Sequence, residues 1–292
     1  MRLSQLGEFG LLAELERRGL AERIENDVAE LPGGRVATQD TLVEGVHFRL
    51  GWTSWRDLGF KAAAVNLSDL AAAGATPEGL LVSLGTPGDT ELEDVLELYE
   101  GMRETGAPVI GGDTARAPVV HLSVTALGRS DRVPGRGGAR PGDVLVVTGP
   151  LGASAAGYHA LRAGIETPLV RAHRRPPIRL AEGRELAPRA HAMLDLSDGL
   201  APDAARLAER SGCRVAIDAG SVPVADGVAE VAERLGLAAL ELACGFGEDY
   251  ELLAAVAEPG RFTPVGCCEH GSGAEIRLEG RLVEFAGWDH FR

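Results

Sequence analysis

The chain has 292 residues, long for a single domain, and its 45% hydrophobic content is that of an ordinary globular protein. No apolar run approaches the roughly 20 residues of a membrane-spanning helix, and the N-terminus lacks the basic-then-apolar pattern of a secretion signal, so a cytoplasmic location is expected. Lys and Arg number 29 against 43 Asp and Glu, a formal charge of −14 that argues against nucleic acid or a membrane surface as partner.

Apolar residues at 9, 11, 12 and 15 have helical spacing and predict a helix over 8–18 that Gly19 stops. Ile24–Ala29 and a Pro32-Gly33-Gly34 turn lead to a strand at 35–38, a hairpin-like entry that brings Asp27 toward Asp40. That short strand is expected to end in Thr38-Gln39-Asp40, with Gly45 and His47 in the loop beyond. Ser54 is a candidate N-cap for an alanine-rich helix over 55–73, ended by Gly74. Asn66 and Asp69 are three apart on it and share a face. A strand at 80–84, a helix at 91–105, a strand at 108–110 running into Gly111-Gly112-Asp113, and a strand at 119–127 complete a mixed α/β unit.

Residues 129–142 are glycine, proline and arginine without an apolar face and read as a linker, dividing the chain into domains 1–130 and 131–292. The second unit begins with a strand at 143–148, a helix at 153–163 and an Arg/Pro-rich loop at 171–177. A strand at 192–196 carries Asp195-Leu-Ser197-Asp198-Gly199 and precedes a helix at 200–211. Glu248-Asp249-Tyr250 then leads into a strand at 251–256. The fold class is therefore α/β (α+β) with two domains.

Of Asp27, Asp40, Asp69, Asp113, Asp195 and Asp198, most lie at the end of a predicted element beside Gly, Ser, Thr or Asn. Any one of them alone is more readily a cap or turn former. Brought together, they are hard oxygen donors that suit Mg²⁺, and metal-bridged phosphates are much of what phosphoryl transfer needs. Lys61 is the only lysine and there is no P-loop, so metal and arginine would have to neutralise a bound triphosphate. Gly111, Gly112 and Gly199 allow backbone N–H groups to approach anionic oxygens, or serve only their turns. Arg136 and Arg140 suit a phosphate contact or simple exposure. His47 and Glu248-Asp249 remain open between structural and binding roles.

Together these segments resemble the thiamine-monophosphate kinase family, within the superfamily of aminoimidazole ribonucleotide synthetase and selenophosphate synthetase. The resemblance runs from Gly7-Glu8-Phe9 to Trp288-Asp-His-Phe291 and is most specific at Asp40–Phe48, Ala64–Ala75, Ile110–Thr114, Asp195–Leu200 and Gly247–Leu252. It implies ATP-dependent phosphorylation of thiamine monophosphate to the diphosphate by direct in-line transfer, in a homodimer whose N-terminal sheets pair and whose active sites lie between the domains. It implies several Mg²⁺ ions on Asp27, Asp40, Asp69, Asp113, Asp195 and Asp198, with Thr38 and Gln39 contributing a side chain or carbonyl. Asp69 and Asp198 are the expected catalytic positions. ATP would meet Gly112, Asp113, Arg136 and Ser197; the thiamine side would meet His47, Glu248 and either Phe285 or Trp288. The family usually shows Gly-Asp-Asp where this chain has Glu25-Asn26-Asp27, and Ser or Thr where it has Gln39. The rival expectations are an ATP-dependent cyclo-ligase of the same superfamily and a nucleotide-binding dimer whose site has decayed at Asn26.

Overall fold

The computed structural model describes residues 2–22, 24 and 26–285, with Glu8 and Phe9 described by backbone alone. Helix α1 (Leu3–Arg17) bends at Gly7, where φ is 75°. β1 (Ala29–Leu31) and β2 (Arg35–Val43) pair across the glycine turn. α2 (Trp55–Ala72) starts where Ser54 Oγ accepts the Asp57 N–H, the predicted cap. β3 (Thr76–Thr86), α3 (Leu92–Arg103), β4 (Val109–Arg116) and β5 (His121–Arg129) follow. The strands form one mixed sheet ordered β1-β2-β5-β3-β4, in which β3 and β4 run parallel.

Two strands are longer than their sequence suggested, for one reason. β2 pairs with β5 continuously from Arg35↔Arg129 to Val43↔His121, so Thr38, Gln39 and Asp40 lie mid-strand and not at a strand end. Alternation makes this tolerable: it turns Thr38 to the α2 side with Asp40 and leaves Gln39 and Thr41 outward. β4 likewise takes up Gly111, Gly112 and Asp113, which pair in register with Leu81, Val82 and Ser83 of β3. Periodicity could not see these residues as strand because neither face of β4 is buried.

The rest of the chain builds a second layer. In order come β6 (Val144–Val147), α4 (Ala153–Ala163), α5 (Val170–Arg174), α6 (Leu180–Leu186), β7 (Ala190–Asp195) and α7 (Leu200–Ser211). Then follow β8 (Arg214–Asp218), α8 (Val228–Leu235), α9 (Ala239–Gly245), β9 (Leu252–Val256), β10 (Thr263–Glu269), β11 (Gly273–Leu278) and β12 (Arg281–Val283). Their sheet is ordered β12-β11-β8-β10-β6-β9-β7. The expected loop at 171–177 begins within α5, one and a half turns anchored by Leu169 in the small core beside α4.

α2 joins the two layers. Leu58, Leu67 and Leu70 pack with Leu80, Val82 and Leu98 beneath the first sheet, while Ala71 and Ala72 pack with Leu186, Met193 and Leu252 of the second. Each fully buried leucine contributes about 1.5–3 kcal/mol of transfer free energy. The approach on the second side is close: a Cβ on Gly183 of α6 would stand 2.0 Å from the Ala71 carbonyl oxygen. The last turns of α2 are thus held between both sheets, and polar side chains there face whatever space the two layers enclose. Among the described residues no helix is long and apolar enough to cross a membrane.

Candidate active site

Between the layers lies a cavity of about 460 Å³, reached by β2, α2, the linker, the β7–α7 turn and the α9–β9 turn. At one end the carboxylates of Asp27, Asp69 and Asp195 come together, with one oxygen from each lying within 4.8 Å of the others. Each is placed by a different device. Asp27 receives the Arg136 Nε–H at 2.9 Å. Asp69, on α2, accepts the Thr38 hydroxyl at 2.5 Å. Asp195, at the end of β7, accepts Ser68 Oγ–H at 2.7 Å and is almost fully buried. Asn66 contributes without facing the cavity: its Oδ1 accepts the Asp40 N–H at 3.0 Å and its amide donates to the Ala62 carbonyl, which fixes β2 against α2.

Burial pushes all three carboxyls upward. For Asp69 and Asp195 the shift is large, because burial is reinforced by the neighbouring aspartates; for Asp27 the Arg136 guanidinium opposes it. Three acidic groups in one buried corner, with Asp40 and Asp198 on the same wall, exceed what Arg136 and Arg206 can balance. A divalent cation of the Mg²⁺ type, which takes several oxygen ligands, fits that donor set. The amide at Asn26 does not disturb it: its Oδ1 accepts the Arg136 N–H at 3.0 Å and so supports the arginine that holds Asp27.

The opposite end is built from the α9–β9 turn. Glu248 and Tyr250 adopt left-handed backbone with φ of 57° and 51°, fixed by Glu248 N–H to the Ser197 carbonyl and Tyr250 N–H to the Leu196 carbonyl. Gly247 is required there, since a Cβ would meet Ser197 O at 2.4 Å. The Glu248 carboxylate is gripped by Lys61 Nζ at 2.9 Å and His173 Nδ1 at 3.1 Å. Burial raises its pKa, but Lys61 and then His173 outweigh burial and hold the group at about 2. Asp249, next in the chain, points away and accepts the Gly152 N–H at 2.9 Å at the start of α4; burial pushes it up to about 7. Glu251 is bound by Arg179 and Thr148. This acidic tract is therefore not a solvated turn.

His47 borders the cavity, and its Nδ1 accepts the Val43 N–H at 3.0 Å, which leaves Nε2 to carry the proton of the neutral ring. A second, adjoining cavity of about 320 Å³ shares His47, Tyr158 and His173 and adds Phe48, Arg49, Trp52, Lys61 and Arg174. Trp52 and Tyr158 meet edge-on there at 6.1 Å.

The chain thus brings Asp27, Thr38, Asp40, Asp69, Arg136, Asp195, Ser197, Asp198, His47 and Glu248 to one cavity. Four expected residues are not delivered in that way. The Gln39 side chain points to the outer face, donating to Ser123 Oγ at 2.7 Å and accepting from Thr125, so only its main chain is turned to the site. Gly112 and Asp113 lie on β4, with β3 and β5 between them and β2, about 14 Å away at ~4.8 Å per strand, and do not line the cavity. Phe285 packs on the core of the second sheet. Trp288 lies outside the described residues. The sequence reading had missed Lys61 as a Glu248 partner, His173, Arg206 and Tyr158. Lys61 did leave a signal: a lone lysine inside an alanine-rich buried helix.

Comparison with known proteins agrees with this geometry. Residues 27–130 match the N-terminal domain of AIR synthase related proteins and residues 140–262 match their C-terminal domain. Fold and cavity together define a protein of that class. Within it, the thiamine-monophosphate kinase of Aquifex aeolicus is 34% identical over 310 residues, covering the whole of both chains. That of Halobacterium salinarum is 36% identical, covering 93% of this chain and 96% of the relative. A ThiL structure complexed with AMPPCP and TMP superposes with a TM-score of 0.93 at 34% identity, covering 99% of each chain. The chain belongs to the thiamine-monophosphate kinase family.

Proposed function

We propose that this protein is an ATP-dependent kinase that phosphorylates thiamine monophosphate to thiamine diphosphate, with Mg²⁺ as the divalent cation. The observation that carries the reading is the convergence of Asp27, Asp69 and Asp195 at one end of a cavity whose other end presents Glu248 and His47. The likeness to a ThiL structure holding a nucleotide analogue and TMP supports it.

In this reading Asp27, Asp69 and Asp195 would hold the cations, with Asp40, Asp198 and the Thr38 hydroxyl beside them. When bound, the cations would supply the positive charge that the transferring phosphates require. Arg136, already directed at this corner by Asp27 and Asn26, supplies a fixed guanidinium for the phosphates. His47 offers its Nε2–H to the acceptor phosphate. A phosphate oxygen of the acceptor bonds to the γ-phosphorus as the bond to the bridging oxygen of the β-phosphate breaks, and ADP leaves. The chain contributes positioning and charge, with no covalent step of its own. The thiamine ring system, which is cationic, faces the ionised Glu248 and extends toward Trp52 and Tyr158. The domain division near residue 130 places phosphate-end carboxylates mostly on the first unit and Glu248 on the second.

The same reading includes a homodimer. β4 is exposed along its whole length at the edge of the first sheet, with Val109 and Ile110 among the exposed apolar residues. Pairing there with a second copy would cover an edge that is otherwise a liability. It would also set Gly112 and Asp113 beside the partner. The test is direct: purified protein with ATP, Mg²⁺ and thiamine monophosphate should yield ADP and thiamine diphosphate in equal amounts. ADP release only with another acceptor would favour the cyclo-ligase chemistry, and nucleotide binding without turnover would favour the decayed site.

A further inference from the structure

Asp203 and Arg206 are charged, mostly buried, and unused by the reaction as described so far. Asp203, on the first turn of α7, is 1% exposed. Its Oδ2 accepts two backbone N–H groups, those of Asp198 and Gly199, each at 3.1 Å. Its Oδ1 accepts Arg206 Nη1–H at 2.7 Å, and the other arm of that guanidinium, Nη2, donates to Asp198 Oδ2. Asp198 is therefore held twice by one residue: through its own backbone and, by way of Arg206, through its carboxylate.

The geometry is directional. Arg206 is tied on one side by Asp203, so its second arm reaches a single oxygen of Asp198 and fixes the rotation of that carboxylate on the cavity wall. We propose that Asp203 and Arg206 are positioning residues for phosphoryl transfer, acting by setting the direction in which Asp198 presents its carboxylate. The inference rests on the reading of Asp198 as a cation-holding group. A planar, two-armed guanidinium suits the task because it spans two carboxylates in a fixed geometry, which a lysine does not.

The opposite role would also fit a guanidinium beside a carboxylate: Arg206 could merely compete with the cation. The two roles differ in sign. Mg²⁺ binding to nucleotide-free R206M, D203N, the double variant, D198N and the parent is measured by calorimetry, together with the Mg²⁺ half-saturation and the KM for each substrate. Positioning predicts that R206M and D203N each weaken Mg²⁺ binding about fivefold, since the Asn oxygen can still accept the Asp198 and Gly199 N–H groups while its NH2 cannot accept from Arg206. The double variant should be no worse than D203N, because the residues act through one another. R206K should restore little, and the KM for thiamine monophosphate should stay within about twofold. Tighter or unchanged Mg²⁺ binding in R206M overturns the proposal, as does full additivity. Should D203N fail to fold, R206M carries the test alone. If D198N itself leaves Mg²⁺ binding untouched, the reading of Asp198 fails; if D198N weakens it and the other variants do not, only this inference fails.

Discussion

The two ends of the cavity hold buried carboxylates in opposite states. At the Asp27–Asp69–Asp195 end the groups repel one another, Arg136 and the more distant Arg206 do not offset them, and burial drives their pKa values up. At the Glu248 end one carboxylate has two nitrogen partners, and its pKa falls to about 2 although burial pushes it upward. The difference lies in whether the chain supplies the counter-charge. Where it does, the carboxylate is balanced within the protein and stays ionised. Where it does not, the fold keeps an unbalanced corner whose charge is neutralised only by something that binds. Marginal stability permits such a corner because α2 is fixed by leucine and alanine packing on both sides.

The largest expected effects follow from removing charge at the unbalanced end. D69N and D195N should each lower turnover by about 10²–10³-fold, the scale of losing one preorganised electrostatic contact. Their metal-free thermal midpoints should match or exceed that of the parent, because the lost charge was repulsive. A clearly lower midpoint would show the carboxylates to be structural. Mg²⁺ at about 100 times its Kd should stabilise the parent by about 2.7 kcal/mol. In melts with and without chelator, both variants should lose most of that shift.

The balanced end should respond the other way. K61M removes the ammonium from a buried pair and leaves Glu248 with His173 only. A hydrogen bond to a charged group is worth about 1.5–3 kcal/mol, so stability should fall by about that much, toward the lower figure because Glu248 keeps some solvent contact. The KM for thiamine monophosphate should rise while the KM for ATP moves less than twofold. Steady-state kinetics at fixed saturating Mg²⁺ would check this, and an equal rise in both would sink the assignment of Glu248 to the thiamine side.

How much of this was legible beforehand follows the same division. Asp195-Leu-Ser-Asp198 and Asn66-Leu-Ser-Asp69 stood out because carboxylates beside small polar residues are costly to bury, α2 was plain from its Ser54 cap, and Glu248-Asp249 stayed open between structural and binding roles. The β2 and β4 strands were cut short because a strand with polar residues on one face and glycine on the other has no apolar period to read. Gln39 was placed with the ligands by its neighbours in sequence, whereas alternation turns its side chain outward to Ser123. Lys61, His173 and Arg206 stayed hidden because their roles depend on partners 187, 75 and 8 residues away, at Glu248 and Asp198. Such pairings are products of the two-sheet packing and leave no local pattern.

The smallest effect is the most diagnostic of how burial and partners compete, because it sets two adjacent residues against each other. Asp249 has its pKa raised by burial to about 7, so its contribution to stability is full below the usual Asp range and is lost as pH rises through about 7. Glu248 has its pKa lowered to about 2, so its contribution is present above the usual Glu range and is lost as pH falls through about 2. D249N keeps a carbonyl oxygen for the Gly152 N–H but cannot ionise. In urea unfolding of the metal-free protein, D249N should therefore gain on the parent between pH 5.5 and pH 8, by about 1.4 kcal/mol for each pKa unit of the shift titrated in that window. E248Q should show its deficit at both of those values and lose it only in strong acid. A D249N curve parallel to the parent across that window would mean that the Gly152 and Ser154 N–H groups, not burial, decide the ionisation of Asp249, and that Asp249 caps α4 as an anion.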